Sequence, residues 1–185
     1  LTTVPLFILM GQLAFGSGIS RRLYDTAYKF LGSIRGGLAI ATVSACTAFG
    51  AVCGSSAATA ATMATVGMPE MRRFGYADDM AAGAVASGGG LGMIMPPSVV
   101  LIIYGVLTEQ SIGKLFVAGI LPAILVTILF IITIMVWCWF KPSQGPKGES
   151  FPWSARLRSI LDLGETLAVF GLVMGGLFMG LFTPT

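Results

Sequence analysis

From Val4 to Gly18 the chain is apolar, and from Ser20 to Arg35 it turns to basic residues set among aromatic and aliphatic ones. Tyr24, Ala27, Tyr28 and Leu31 fall at i, i+3, i+4 and i+7, one stripe of a helix, with Arg21, Arg22, Lys29 and Arg35 around it. That pattern predicts a helix lying in a membrane interface, and Val4–Gly18 reads as the end of a spanning helix. Gly36 to Gly67 carries no charge. It is too long for one crossing and too short for two at roughly twenty residues each, and Gly54-Ser55-Ser56 sits near its middle. The spacing predicts a re-entrant hairpin over 37–67 with two short limbs, against the plainer alternative of one long tilted helix.

Pro69 to Asp79 reads as a polar connection. Met80 to Leu107 is apolar again but interrupted by Gly88–Gly92 and by Pro96-Pro97-Ser98. Two prolines lack their N–H groups and disfavour α geometry before them, so a helix over 78–107 must break there. Thr108–Ser111 is a short turn. Leu115–Phe140 is the cleanest spanning helix, ending in the interfacial aromatics Trp137, Trp139 and Phe140. Lys141–Arg158 reads as a polar loop, and Leu167–Phe182 as a last apolar run. Both ends have the look of a cut, so a piece of a longer membrane protein is expected.

Charge placement discriminates between topologies. The stretches 20–35, 69–79 and 141–158 hold every Lys and Arg except Lys114. A re-entrant 37–67 puts all three on one side, which the positive-inside rule makes cytoplasmic. A full crossing would scatter them over both faces. Composition agrees with a membrane protein: 55% of residues are hydrophobic and 10% charged, against about a quarter charged in soluble domains.

The net charge of +3 comes without a basic run interleaved with aromatics, which argues against nucleic acid as a partner. The absence of histidine removes Ser-His-Asp chemistry and histidine proton relays. Cys46, Cys53 and Cys138 have no metal-binding spacing and read as small hydrophobes. The Gly88–Gly92 run lacks the glycine pattern and lysine of a nucleotide loop, and its GxxxG spacing mostly means close helix packing. Asp78 and Asp79 suit a helix N-terminus; Glu109 and Lys114 read as loop charges.

A bilayer tolerates broken backbone only where protein, water or a bound partner satisfies the freed groups. Paired breaks at depth point to an ion or substrate site in a secondary transporter. Gly54-Ser55-Ser56 offers hydroxyls and bare carbonyls for Na⁺, and the following limb's N-terminus suits a carboxylate. Simple small-residue packing is the competing reading.

The segments Gly54-Ser55-Ser56-Ala57-Ala58-Thr59, Pro69-Glu70-Met71-Arg72-Arg73-Phe74-Gly75-Tyr76, Pro96-Pro97-Ser98, Ile102 to Pro122 and Gly180-Leu181-Phe182-Thr183-Pro184-Thr185 together resemble, in order, the large (DctM-type) permease subunit of TRAP transporters. The resemblance implies an all-α polytopic membrane protein, an elevator-type secondary transporter with a re-entrant hairpin and a broken transmembrane helix. It implies a multi-pass protein of the bacterial inner membrane, not an enzyme, importing carboxylates of the C4-dicarboxylate or sialic acid class by Na⁺ symport. Its expected partners are a small DctQ-type membrane subunit and a periplasmic substrate-binding protein.

Carried onto this chain, the resemblance makes residues 1–18 the end of a scaffold helix and 19–36 an interfacial arm. Residues 37–111 become part of the transport domain, 112–140 a transmembrane helix, 141–158 a cytoplasmic loop and 159–185 the start of a second repeat. Gly54, Ser55, Ser56, Gly89, Gly92 and Met95 are the expected Na⁺ region, partly through backbone oxygens. Ser56, Ala57, Pro97 and Ser98 are the expected carboxylate contacts. The rivals are a stand-alone Na⁺- or H⁺-coupled anion carrier, an intramembrane protease using Ser55, and a subunit that only packs helices.

Overall fold

The computed structural model describes Leu9, Leu13 and residues 16–179, and every regular element among them is helical. Most of the predicted helix end at 1–18, and residues 180–185, lie outside the described residues. The elements are α1 (Ile19–Leu31), α2 (Gly37–Cys53), α3 (Ser56–Arg73), α4 (Asp78–Gly90), a single 3₁₀ turn (Leu91–Met93), α5 (Val99–Leu107), α6 (Ile112–Phe140), a second 3₁₀ turn (Pro142–Gln144), α7 (Trp153–Asp162) and α8 (Gly164–Phe178).

α2 is the centre of the fold. Fourteen of its seventeen residues are buried, and it packs against α1, α3, α4 and α6. It is apolar on all sides, so it has no solvent face to lose. Alanine and glycine along it let neighbours approach backbone to backbone: a β-carbon on Gly88 would lie 2.9 Å from Cys46 Sγ. Its polar groups are satisfied locally. Thr42 Oγ1 donates to the Leu38 carbonyl at 2.8 Å, and Thr47 and Thr127 share a 3.1 Å hydroxyl contact joining α2 to α6. At its start, where helix N–H groups have no partner within the helix, Leu38 N donates to Tyr76 Oη at 3.2 Å.

The stretch 37–67 is two helices and not one long one: the chain breaks at Gly54-Ser55. The second helix is longer than the pattern suggested. α3 runs through Pro69 to Arg73, so the expected connection 69–79 shrinks to residues 74–77. A proline forfeits one helical hydrogen bond, and Met71, fully buried two residues later, anchors the turn beyond it. α4 then begins with Asp78 and Asp79 in its first turn, where carboxylates oppose the helix dipole, and Asp78 accepts from Arg72 Nε at 2.7 Å.

Two further expectations differ. The stripe of α1 faces the protein: Tyr24 is buried, and Ala27, Tyr28 and Leu31 pack on the same core. Tyr28 also meets the rings of Phe74 and Phe151 at centroid distances of 5.8 and 5.4 Å. Aromatic side chains that looked ready for lipid are consumed by the bundle. The polar segment 141–158 is not loop throughout, because α7 starts at Trp153 and packs on α1, with Thr26 Oγ1 donating to the Ser159 carbonyl at 3.1 Å.

α6 is the one helix among the described residues long and apolar enough to cross a membrane. Leu121, Leu125, Ile128, Leu129, Ile132 and Met135 are all exposed along it. So much apolar surface facing outward marks a lipid or protein contact face.

Candidate functional site

Two helix breaks meet at one place. α2 ends at Gly54 in the left-handed region (φ +62°, ψ +16°), with Gly54 N donating to the Gly50 carbonyl at 2.8 Å. Ser55 is extended and caps α3, its Oγ accepting from Ala58 N at 3.4 Å. Across from it the Pro96–Pro97 peptide is cis, and Ser98, extended and fully buried, caps α5. The Ser98 hydroxyl donates to the Met93 carbonyl and accepts from Leu101 N at 3.5 Å. Val99 N donates to the Gly54 carbonyl at 3.4 Å. A β-carbon on Gly54 would fall well inside 3.0 Å of the Pro97 carbonyl oxygen, so the tip of the helix pair rests directly on the second break. Only glycine meets both the positive φ and the contact.

The 3₁₀ turn closes the site from a third direction. A β-carbon on Gly92 would lie 2.5 Å from Thr59 Oγ1 and 2.9 Å from the Ser55 carbonyl oxygen. That carbonyl accepts from Thr59 Oγ1 at 2.8 Å and from Thr59 N at 3.0 Å. Cys53 Sγ lies 3.1 Å from Thr59 Oγ1.

Gly54, Ser55, Gly92, Pro97 and Ser98 therefore come together. Ser56 is half-buried and Ala57 exposed at the start of α3, and Ser56 Oγ makes no hydrogen bond among the described residues. Gly89 lies beside Ala60, a turn along α3 from the tip. Met95 is half-buried, and its N–H turns back to the Leu91 carbonyl at 3.0 Å. Sequence reasoning passed over Thr59 as a site residue. Its signal was available: it stands four residues after Ser55, the spacing at which a helical hydroxyl reaches back to a carbonyl.

The donors here are neutral oxygens, the carbonyls of Gly54, Ser55 and Pro97 and the hydroxyls of Ser55, Ser56 and Thr59. No group of three or more His, Cys, Asp or Glu side chains is clustered anywhere among the described residues. Neutral oxygens of this kind offer little to a soft metal. α3 and α5 both begin at this point, so two helix N-termini supply partial positive charge there.

The whole chain, residues 1–185, matches the family model described as Tripartite ATP-independent periplasmic transporter, DctM component. The chain belongs to the DctM family. Among curated relatives, this DctM chain is 40% identical over 186 residues to the C4-dicarboxylate TRAP transporter large permease protein DctM of Pseudomonas aeruginosa, covering 100% of the chain and 43% of the relative. It is 33% identical over 187 residues to the ectoine TRAP transporter large permease protein TeaC of Halomonas elongata, with 100% and 43% covered. With the sialic acid TRAP transporter permease protein SiaT of Haemophilus influenzae it shares 33% over 185 residues, 100% of the chain and 30% of the relative. The DctM chain thus spans less than half the length of these relatives. All three relatives carry the names of TRAP transporter permeases.

Proposed function

We propose that the protein containing this chain is the large membrane subunit of a tripartite secondary transporter in the bacterial inner membrane, importing a carboxylate down a Na⁺ gradient. The observation that carries the reading is the meeting of the Gly54-Ser55 tip with the Pro97-Ser98 break, where uncharged oxygens and two helix N-termini converge. Uncharged oxygen donors suit Na⁺ as co-substrate, and a positive dipole end suits the carboxylate. Ser55, Ser56 and the backbone near Gly54, Gly89, Gly92 and Met95 contribute the ion region. Ser56, Ala57, Pro97 and Ser98 border the carboxylate, Ser98 through its backbone because its hydroxyl is engaged within the protein.

Transport proceeds in three steps. A periplasmic binding protein delivers substrate to the membrane subunits, the large one working with a small DctQ-type partner. Na⁺ and carboxylate bind the same conformation of the tip, so each favours the other's binding. The domain bearing α2–α5 then slides as a unit against the scaffold, to which residues 1–18 belong, in the manner of an elevator. In this reading α2 and α3 form a re-entrant hairpin, and residues 20–35, 69–79 and 141–158 face the cytoplasm.

The relatives' names span C4-dicarboxylate, ectoine, isethionate and sialic acid, so the substrate is proposed only as a class. The test is uptake by the full-length permease carrying Ser56→Ala. Its free hydroxyl is the side chain best placed to contact ion or substrate without holding the fold. A rise in the Na⁺ concentration needed for half-maximal uptake is expected; an unaltered Na⁺ dependence would remove Ser56 from the site.

A further inference from the structure

A groove of about 580 Å³ lies away from the helix breaks, between the turn after α1 and the last turns of α6. Ile132, Met135 and Val136 line it, Trp139 stands near its end, and Arg35 and Lys147 border it. Its lining holds no acidic residue. Among the described residues neither Arg35 nor Lys147 makes an ion pair or a hydrogen bond.

The segments that carry the two cations are joined by backbone bonds. Gly36 N donates to the Gly145 carbonyl at 3.0 Å and Gly148 N to the Gly32 carbonyl at 2.8 Å. Those bonds lace the turn after α1 to the loop after α6, and Arg35 and Lys147 sit beside them in sequence. The stitched segments close over Cys138: a β-carbon on Gly36 would lie 2.8 Å from its sulfur.

Depth in the bilayer follows from α6. Trp137, Trp139 and Phe140 end the apolar helix and mark the headgroup level. The aliphatic lining then lies at acyl-chain depth and the cations at phosphate depth.

We propose that this groove is a binding site for an anionic phospholipid, with an acyl chain along Ile132, Met135 and Val136 and the phosphate between Arg35 and Lys147. It rests on α6 spanning the membrane and not on the transport site. An anionic lipid near a membrane surface gains about fivefold in affinity per basic side chain, and a zwitterionic lipid gains much less.

The experiment is native mass spectrometry of the full-length permease purified in detergent and titrated with phosphatidylglycerol or phosphatidylcholine of identical chains. One tightly retained phosphatidylglycerol is expected, weakened about fivefold by Arg35→Gln or Lys147→Gln and about thirtyfold by both. Val136→Trp, which sets an indole in the acyl-chain part of the groove and keeps both cations, is expected to weaken that retention while the thermal midpoint holds. Equal retention of the two lipids would overturn the proposal, as would phosphatidylglycerol binding unaffected by the double substitution. Displacement of the lipid by glycerol phosphate at equal concentration would also overturn it, since the site would then read phosphate alone. So would a full-length protein that binds no lipid there because another segment of it fills the groove.

Discussion

Gly54→Ala is the substitution whose consequence follows most directly from the geometry. Gly54 has φ +62°, and a β-carbon on it would fall well inside 3.0 Å of the Pro97 carbonyl oxygen. An alanine in the left-handed region costs about 1–2 kcal/mol. The new methyl group must also displace backbone, because the atom it meets is a carbonyl oxygen and not the end of a flexible side chain; overpacking of that kind costs about 1–3 kcal/mol. Together these give about 2–5 kcal/mol. Gly75 supplies the control, with φ +76° and nothing within 4 Å of its would-be β-carbon. Gly75→Ala therefore carries the conformational part alone, about 1–2 kcal/mol. The assay is unfolding of the two full-length variants in mixed micelles, paired with substrate uptake in vesicles. Gly54→Ala should unfold at clearly lower denaturant than Gly75→Ala and lose most uptake, while Gly75→Ala transports like the parent protein. Equal destabilisation by the two substitutions would refute the reasoning, since it would mean that the tip does not rest on the second break.

Ser98→Ala strips the cap from α5 and removes the donor to the part-buried Met93 carbonyl; a loss of about 0.5–2 kcal/mol is expected in the same unfolding assay. Gly92→Ala puts a methyl group against Thr59 Oγ1 and the Ser55 carbonyl, so Na⁺-dependent uptake should fall at least tenfold with normal membrane insertion, measured in vesicles. Tyr76 lies between α3 and α4, and burial pushes its hydroxyl up to about 12 despite the opposing bond from Leu38 N. Because the folded value is raised above the ordinary 10, this contribution to stability is whole below pH 10 and lost between pH 10 and 12. Thermal midpoints from pH 9 to 12 should fall less steeply for Tyr76→Phe than for the parent.

Much of the helical order was legible because membrane sequence is simple: long uncharged runs, stopped by charge, proline or glycine clusters. The break at Gly54-Ser55 announced itself as the polar centre of a run too long for one crossing. The interruption between α4 and α5 followed from Pro96-Pro97. What remained hidden was what each polar atom bonds to. The family resemblance made Ser98 an expected carboxylate contact, and its hydroxyl is engaged within the fold, a matter of three-dimensional partners that no spacing reveals. Thr59 failed to stand out among Ala57–Thr62 because small residues mean packing as often as binding. The face of α1 was visible as a stripe, but periodicity says only that a face is apolar, and Tyr24 and Tyr28 cover protein where lipid was expected. Pro69 misled for the opposite reason: tertiary anchoring through Met71 carried the helix past a local breaker.

The most direct measurement is uptake of labelled carboxylates by the full-length permease, reconstituted with its small subunit, under an inward Na⁺ gradient with and without the soluble binding protein. Uptake that requires both the gradient and the binding protein is expected. Uptake that proceeds equally without the binding protein, or without Na⁺, would contradict the tripartite Na⁺-driven mechanism.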